Sequence, residues 1–295
     1  MTLQESNNTQ YVIAIDGGGT SCKAALFTTS NNNAICTVST GPANVFSNFD
    51  LALKNIIAAA NQLKLLAKEH EGLSISLNQC HLSAGLAGAK SELVKQKLNS
   101  WVHPFLSIDI TTDIHIGCIA ANDFKDCMLV IVGTGSCIAN FKDRTVYEFG
   151  GHGFHLGDQA SGSWLGKKAL IWYLNALDTN VNNSELKDFL EKEVGKDKSA
   201  IIENYTASNP ARSAELAPKL LALQGKNNEI DAWLSQGASY IVDIISSQNQ
   251  NETPIYMAGG LTNIYRNIIK RDFNIKCLEP AHSPIFGAYL MAKQF

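Results

Sequence analysis

The sequence predicts an α/β protein made of two similar halves, and three observations carry that prediction. A strand, a glycine turn and a second strand occur from Tyr11 to Phe27 and again from Val130 to Phe141. Apolar segments alternating between strand and helix periodicity follow each of them. The chain has 295 residues, a length that favours two domains over one.

In the first half, Tyr11 to Ile15 reads as a strand running into Asp16-Gly17-Gly18-Gly19-Thr20, with Cys22 to Phe27 as its hairpin partner. Glycine permits positive φ and leaves N–H groups uncovered, so an oxyanion is expected to approach this turn closely. Ala34 to Ser39 is a third strand, entered from the polar turn Ser30 to Asn33. Gly41-Pro42-Ala43-Asn44 breaks the pattern. From Asp50 to Lys68 Leu, Ile and Ala recur at helical spacing, with Asp50 as N-cap. Gln79 to Ala84 is a strand ending in Gly85-Leu86-Ala87-Gly88, and a helix from Ser91 to Trp101 follows. Ser107 to Thr111 is the next strand, ending at Thr112-Asp113 before a helix from Ile114 to Ala121. A meander followed by crossover units predicts a mixed sheet covered by helices.

The second half restarts with strands at Met128 to Val132, Cys137 to Lys142 and Thr145 to Phe149. A glycine-rich segment, Gly150 to Gly162, carries His152, His155, Asp158 and Gln159, and Ser163 to Asn175 is helical. Ser184 to Ser247 is mainly helical, broken at Pro210 and Pro218, and has no counterpart in the first half. Pro254 to Ala258 is a strand reaching Gly259-Gly260-Leu261, with a helix onward to Lys270. Ile275 to Leu278 is the last strand, and Pro284 to Ala292 a terminal helix entered through its proline. Trp101, Trp164, Trp172 and Trp233 sit at apolar, helix-compatible positions and are assigned to the core.

Composition narrows the partners. The chain is 45% hydrophobic and 17% charged, with net charge −3 and no Lys/Arg cluster, which argues against nucleic acid. No apolar run approaches the roughly 20 residues needed to cross a bilayer, so no membrane partner is expected. Met1 to Gln10 is polar and reads as a loose N-terminus instead of a signal peptide. Seven cysteines without a C-x-x-C pair fit reduced thiols and a cytoplasmic location. A phosphorylated ligand must then be held by backbone N–H groups and a metal more than by side-chain cations.

In the first turn Asp16 suits Mg²⁺, held through water, while Gly17, Gly18, Gly19 and Thr20 offer N–H groups to phosphate. Lys23 adds a nearby cation or is simply an exposed strand residue. In the second, Gly133, Thr134, Gly135 and Ser136 repeat the donors without the acid; a plain hairpin is the alternative for both turns. Asp113 reads either as a helix N-cap or as the carboxylate that accepts a proton from an attacking hydroxyl. Asp158 and Gln159 suit recognition of a small polar ligand, and His152 and His155 lack a third metal ligand at zinc-like spacing. Asn44 is a turn-former or a ligand contact, and Gly259, Gly260 and Leu261 form a helix-entry turn or an adenosine platform.

DGGGT at 16 to 20, TTD at 111 to 113, GTGS at 133 to 136, GD-x-x-S-G at 157 to 162 and AGGL at 258 to 261 occur in one order. That order resembles the BadF/BadG/BcrA/BcrD ATPase family, and within it the N-acetylglucosamine and glucosamine kinases, from about residue 11 to 292. The resemblance implies two ribonuclease-H-like lobes of the actin-like ATPase fold closing over ATP and sugar. It implies an N-terminal lobe of 1–115 joined by the terminal helix in 283–295, and a C-terminal lobe of 116–282 with a helical insertion at about 180–250. The implied activity is ATP- and Mg²⁺-dependent phosphorylation of the 6-hydroxyl of a small amino sugar. Asp113 is then the base, and Asn44, Gly85, Asp158 and Gln159 contact the sugar alongside it. Glutamate usually follows the aspartate of that pattern in N-acetylglucosamine kinases. Gln159 here looks more like the bacterial glucosamine kinase branch, which leaves the amino sugar open. An ATPase activator of a 2-hydroxyacyl-CoA dehydratase and a non-catalytic sugar sensor are the alternatives; the first needs an iron–sulfur cluster and the sequence has no cysteine cluster. Association into a homodimer is left open.

Overall fold

The computed structural model describes residues 11–179, 184–206 and 210–294. The expectation for Met1 to Gln10 lies outside them, as do 180–183 and 207–209 of the helical insertion. The chain divides into two compact units. The first holds the chain up to Lys125, Phe141–Val146 and the segment from Pro280; the second holds Asp126–Asn140 and Tyr147–Glu279.

The first unit contains β1 (Tyr11–Gly17), β2 (Cys22–Thr28), β3 (Cys36–Thr40), α1 (Phe49–Glu71), β4 (Cys80–Leu86), α2 (Glu92–Asn99), β5 (Ser107–Thr111) and α3 (Asp113–Asn122). The chain continues through β6 (Cys127–Val132), β7 (Ser136–Lys142), β8 (Thr145–Phe149), α4 (Gly153–Leu156), α5 (Gly162–Asp178), α6 (Glu185–Val194) and α7 (Lys198–Thr206). It ends with α8 (Pro210–Ala214), α9 (Ala217–Leu221), α10 (Asn228–Gln248), β9 (Ile255–Ala258), α11 (Thr262–Phe273) and α12 (Pro284–Ala292).

The first sheet has the order β3-β2-β1-β4-β5 and the second β8-β7-β6-β9. β1 pairs antiparallel with β2 and parallel with β4, and β4 pairs parallel with β5. β6 pairs parallel with β9. The second sheet thus repeats the first four positions of the first. The strand expected at Ile275 to Leu278 survives only as one parallel bridge, Tyr256 to Leu278. Polar neighbours on both sides and a segment this short leave it a single rung where β5 forms a full ladder.

Period-two alternation explains how both faces of the first sheet are covered. Ile13 and Ile15 of β1 pack with Leu82, Ala84 and Leu86 of β4 under Ile56, Ala59 and Leu63 of α1. The alternate residues Val12 and Ala14 join Ile116 of α3 and Ala288 and Tyr289 of α12. Each buried aliphatic side chain contributes about 1.5 to 3 kcal/mol. α3 is buried almost all round, at Ile116 through Ala121, and the carbonyls of Ala120 and Ala121 accept from His282 and Ala281. These contacts keep all of α3 in the first unit, past the boundary expected at residue 115. The N-cap of α1 lies two residues earlier than expected: Asn48 caps the helix and accepts from Leu51 N–H, while Asp50 lies inside the first turn. In the second unit Trp164 and Trp233 are buried in the core with Tyr173, Leu190 and Tyr265, and Trp172 packs against it.

Candidate active site

In the first unit three strand ends meet in register. Asp16 of β1 faces Gly85 of β4, and Gly85 faces Thr111 of β5. The three therefore share one face at the C-terminal ends of parallel strands, where ligands gather in open α/β sheets. They span about 10 Å at the usual strand spacing. Asp113 follows as the first residue of α3. It is not the N-cap: Thr112 caps the helix, its Oγ1 accepting from His115 N–H at 3.1 Å, and the Asp113 carboxylate accepts from Ile114 N–H at 3.1 Å. Gly85 is small because α3 crosses it; a Cβ there would stand 2.4 Å from Ile116 Cγ1.

Burial pushes the Asp16 carboxyl up, against the opposing pull of the Lys23 ammonium. Lys23 is exposed and sits opposite Asp16 in the β1–β2 ladder. The glycine turn differs from its expectation in two respects. None of Gly17, Gly18 and Gly19 has positive φ, and Gly18 N–H is already spent on Ser21 O at 2.9 Å. The hairpin needs glycine instead for room: a Cβ on Gly17 would stand 2.5 Å from Leu86 Cδ2. Gly19 and Thr20 remain exposed. Asn44 closes an Asx turn, its Oδ1 accepting from Phe46 N–H at 3.0 Å and Ser47 N–H at 2.9 Å.

In the second unit the GTGS turn is tied to the glycine-rich segment. Gly133 O accepts from Gly162 N–H at 2.8 Å, and Ser136 Oγ donates to Gln159 O at 2.6 Å, so that hydroxyl is not a free donor. Thr134 is exposed. Asp158 is 8% exposed and lies against Gly135, a Cβ on which would be 3.0 Å from Oδ2. Burial raises its pKa; backbone hydrogen bonds from Ser136 and Gly153 and the charges of Lys167 and His152 oppose that rise. Asp158 and Ala160 hold φ of 58° and 71°, and the Gln159 Oε1 between them is buried without a hydrogen-bond partner. Such local strain is a mark of functional loops. Gly259 is the glycine of the AGGL turn that uses left-handed φ, at 107°, with Val132 O 2.3 Å from where a Cβ would stand. Leu261 N–H donates to Val132 O at 3.0 Å and its side chain is 7% exposed, in the core. Gly260 has open space beside it.

Among the described residues no group of three or more His, Cys, Asp and Glu could hold a metal, and no helix is long and apolar enough to cross a membrane. None of the seven cysteines is joined in a disulfide. Sequence reading passes over His115, whose ring touches Thr111; a histidine two residues beyond a strand-end aspartate was the available signal.

Two α/β units whose sheets share one strand order, each with a strand added parallel to its first strand, define the actin-like ATPase fold with its ribonuclease-H-like repeats. The chain belongs to the BadF/BadG/BcrA/BcrD ATPase family, whose pattern matches residues 13–292. It is 26% identical over 285 residues to the glucosamine kinase GspK of Vibrio cholerae, covering 96% of this chain and 95% of that one. It is 24% identical to the N-acetylmuramic acid/N-acetylglucosamine kinase of Clostridium acetobutylicum, covering 96% and 98%. The crystal structure of a candidate N-acetylglucosamine kinase from Chromobacterium violaceum superposes with a TM-score of 0.87 at 26% identity, covering 97% of this chain and 99% of that one.

Proposed function

We propose that the chain transfers the γ-phosphoryl group of ATP to the 6-hydroxyl of an amino sugar, glucosamine or N-acetylglucosamine. One observation carries the reading: Asp16, Gly85 and Thr111 are aligned on one sheet face with Asp113 immediately beyond. A strand-end carboxylate, half-buried with a raised pKa, and a second at the start of the helix beyond the neighbouring strand are what phosphoryl transfer to an alcohol requires. The relatives named as kinases of these sugars, matched over nearly their whole length, support it.

Asp113 accepts the proton of the 6-hydroxyl as the new O–P bond forms and the bond from the γ-phosphorus to the β-bridging oxygen breaks, releasing ADP. Gly19 and Thr20 in the first unit, and Thr134 and Gly135 in the second, donate N–H groups to phosphate oxygens; the Gly133 N–H is already given to Gly135 O at 2.9 Å. Gly259 and Gly260 contact the adenosine, Leu261 anchoring their turn in the core, and Asn44, Asp158 and Gln159 contact sugar hydroxyls. Asp16 fits Mg²⁺: a single desolvated carboxylate with no strong cationic partner suits an ion that keeps most of its waters and binds phosphate. Mg²⁺, when bound, neutralises charge on the β- and γ-phosphate oxygens. A cytoplasmic location, where ATP is supplied, goes with this reading.

The test is ADP release measured over glucosamine, N-acetylglucosamine, glucose and N-acetylmannosamine. Asp113→Asn should lower kcat on the order of 10²-fold or more with little change in sugar affinity. Near-full turnover in that variant would sink the assignment.

A further inference from the structure

Two hydrogen bonds tie His115 to the two threonines that precede Asp113. Its backbone N–H donates to Thr112 Oγ1 at 3.1 Å, and its ring Nδ1 lies 2.7 Å from Thr111 Oγ1. The first bond is an ordinary N-cap and is enough to start the helix. The second is not a capping bond. Thr111 is the last residue of β5 and is held in the ladder opposite Gly85, so the imidazole ties the first turn of α3 to the end of the sheet. The Phe141 ring packs against it at 5.7 Å and 45°, and Phe141 is itself fully buried. Burial also lowers the His115 pKa, keeping the ring neutral with one nitrogen donating and one accepting.

We propose that His115 is a positioning residue for Asp113. Its bond to Thr111 holds the first turn of α3 against the end of β5, and therefore sets where the Asp113 carboxylate points. The inference rests on the reading of Asp113 as the base. The body of α3 is fixed by its buried residues Ile116 to Ala121, but Asp113 lies in the first turn ahead of them, and a side chain there moves with any shift of that turn. A displacement of about 1 Å at a reacting group costs on the order of 10²-fold in rate. The need for this second tie is local. Ile116 is seated in the notch left by Gly85 and holds the body of α3, whereas Asp113 lies three residues earlier, in the first turn. The ring also lines a cavity of about 210 Å³ shared with Asp109, Ile119 and Arg144, so on that side the bond to Thr111, and not packing, holds the ring.

Four variants test it, with the coupled ADP assay and a thermal melt on each. Thr111→Val and His115→Leu should each lower kcat about tenfold while sugar KM stays within about twofold, because aim is lost and binding is not. The double variant should be no worse than His115→Leu alone, since both remove one bond. His115→Asn, whose amide can still reach Thr111 Oγ1, should keep most of kcat; a purely structural ring would not be rescued in this way. Full kcat in Thr111→Val and His115→Leu, with Asp113→Asn inactive, overturns this proposal and leaves the kinase reading standing. A loss in His115→Asn as large as in His115→Leu overturns it as well. Full kcat in Asp113→Asn overturns the kinase reading instead. Should His115→Leu fail to fold, Thr111→Val decides alone, since it is isosteric and its backbone stays in the ladder.

Discussion

Gly135 and Asp158 are in contact: the position a Cβ would take on Gly135 lies 3.0 Å from Asp158 Oδ2. That carboxylate also accepts from the Ser136 and Gly153 backbones, so it holds the second glycine turn against the loop that follows β8. Gly135→Ala must push it away by a few tenths of an ångström. Overpacking of this kind costs about 1 to 3 kcal/mol. We expect a lower melting temperature and kcat/KM for ATP reduced about tenfold, the turn being the proposed phosphate contact. Unchanged ATP kinetics would show that the contact has slack.

Asp16→Asn should make the protein more stable and inactive together. Burial raises the Asp16 pKa in the fold, so ionisation costs more there than in the unfolded chain. The penalty is present above the raised folded value and disappears as pH falls toward the ordinary 3.8, where the wild-type carboxyl is protonated in both states. The variant should therefore melt a few degrees higher near neutral pH, with the difference shrinking in acid. Thermal melts across pH, with and without Mg²⁺, measure it. Added Mg²⁺ should narrow the gap by stabilising the wild type alone; an equal response in both proteins would remove Asp16 from the cation site.

The strands were legible because their period-two pattern is local: Tyr11 to Ile15 and Cys22 to Phe27 both lie inside the observed β1 and β2. The glycine turns were legible as composition but not as conformation, since Gly17 is there for the nearness of Leu86, a contact made by a distant strand. Gly85 was assigned to substrate, yet its lack of a side chain answers to Ile116, which the sequence places more than a helix turn beyond the next strand. Asp50 lost the N-cap to Asn48 because either can cap and only the path of the chain decides. The alignment of Asp16, Gly85 and Thr111 depends on ladder register between β1, β4 and β5, which no local period encodes.

His81 and Asp109 form a pair that resists charge. His81 Nε2 lies 3.6 Å from Asp109 Oδ2, beyond hydrogen-bond reach, while Nδ1 is 2.8 Å from Ser107 Oγ. Burial lowers the His81 pKa and raises that of Asp109, and each outweighs the attraction of the other. A histidine with a depressed folded pKa stabilises the fold above the ordinary 6.5, and that contribution is lost as pH falls through the folded value. Urea midpoints should therefore drop below pH 6.5. His81→Gln should flatten part of that slope and not all of it, because His115 is shifted in the same direction. An identical slope in the variant would show that His81 takes up its proton equally in the folded and unfolded chain.

Gly287→Ala should be among the most damaging single changes in the first unit. A Cβ there would stand 2.1 Å from Ile116 O, a backbone atom of α3 that no rotamer change can move. α12 cannot simply lift away. Ala288 O accepts from Ser83 Oγ at 2.6 Å, and Tyr289 stacks on Phe27 at 4.2 Å with its hydroxyl donating to Asn31 O at 3.1 Å. Relieving the clash means giving up those contacts or displacing α3, and we expect a loss of about 3 kcal/mol, the upper end of overpacking costs. Urea denaturation reads the cost directly, with Gly260→Ala as the comparison, because nothing lies within 4 Å of a Cβ at Gly260. If α3 gives way in preference to α12, kcat falls well below the protein's melting temperature, since Asp113 is the first residue of that helix. A wild-type urea midpoint would mean that the two helices have room which the 2.1 Å approach denies.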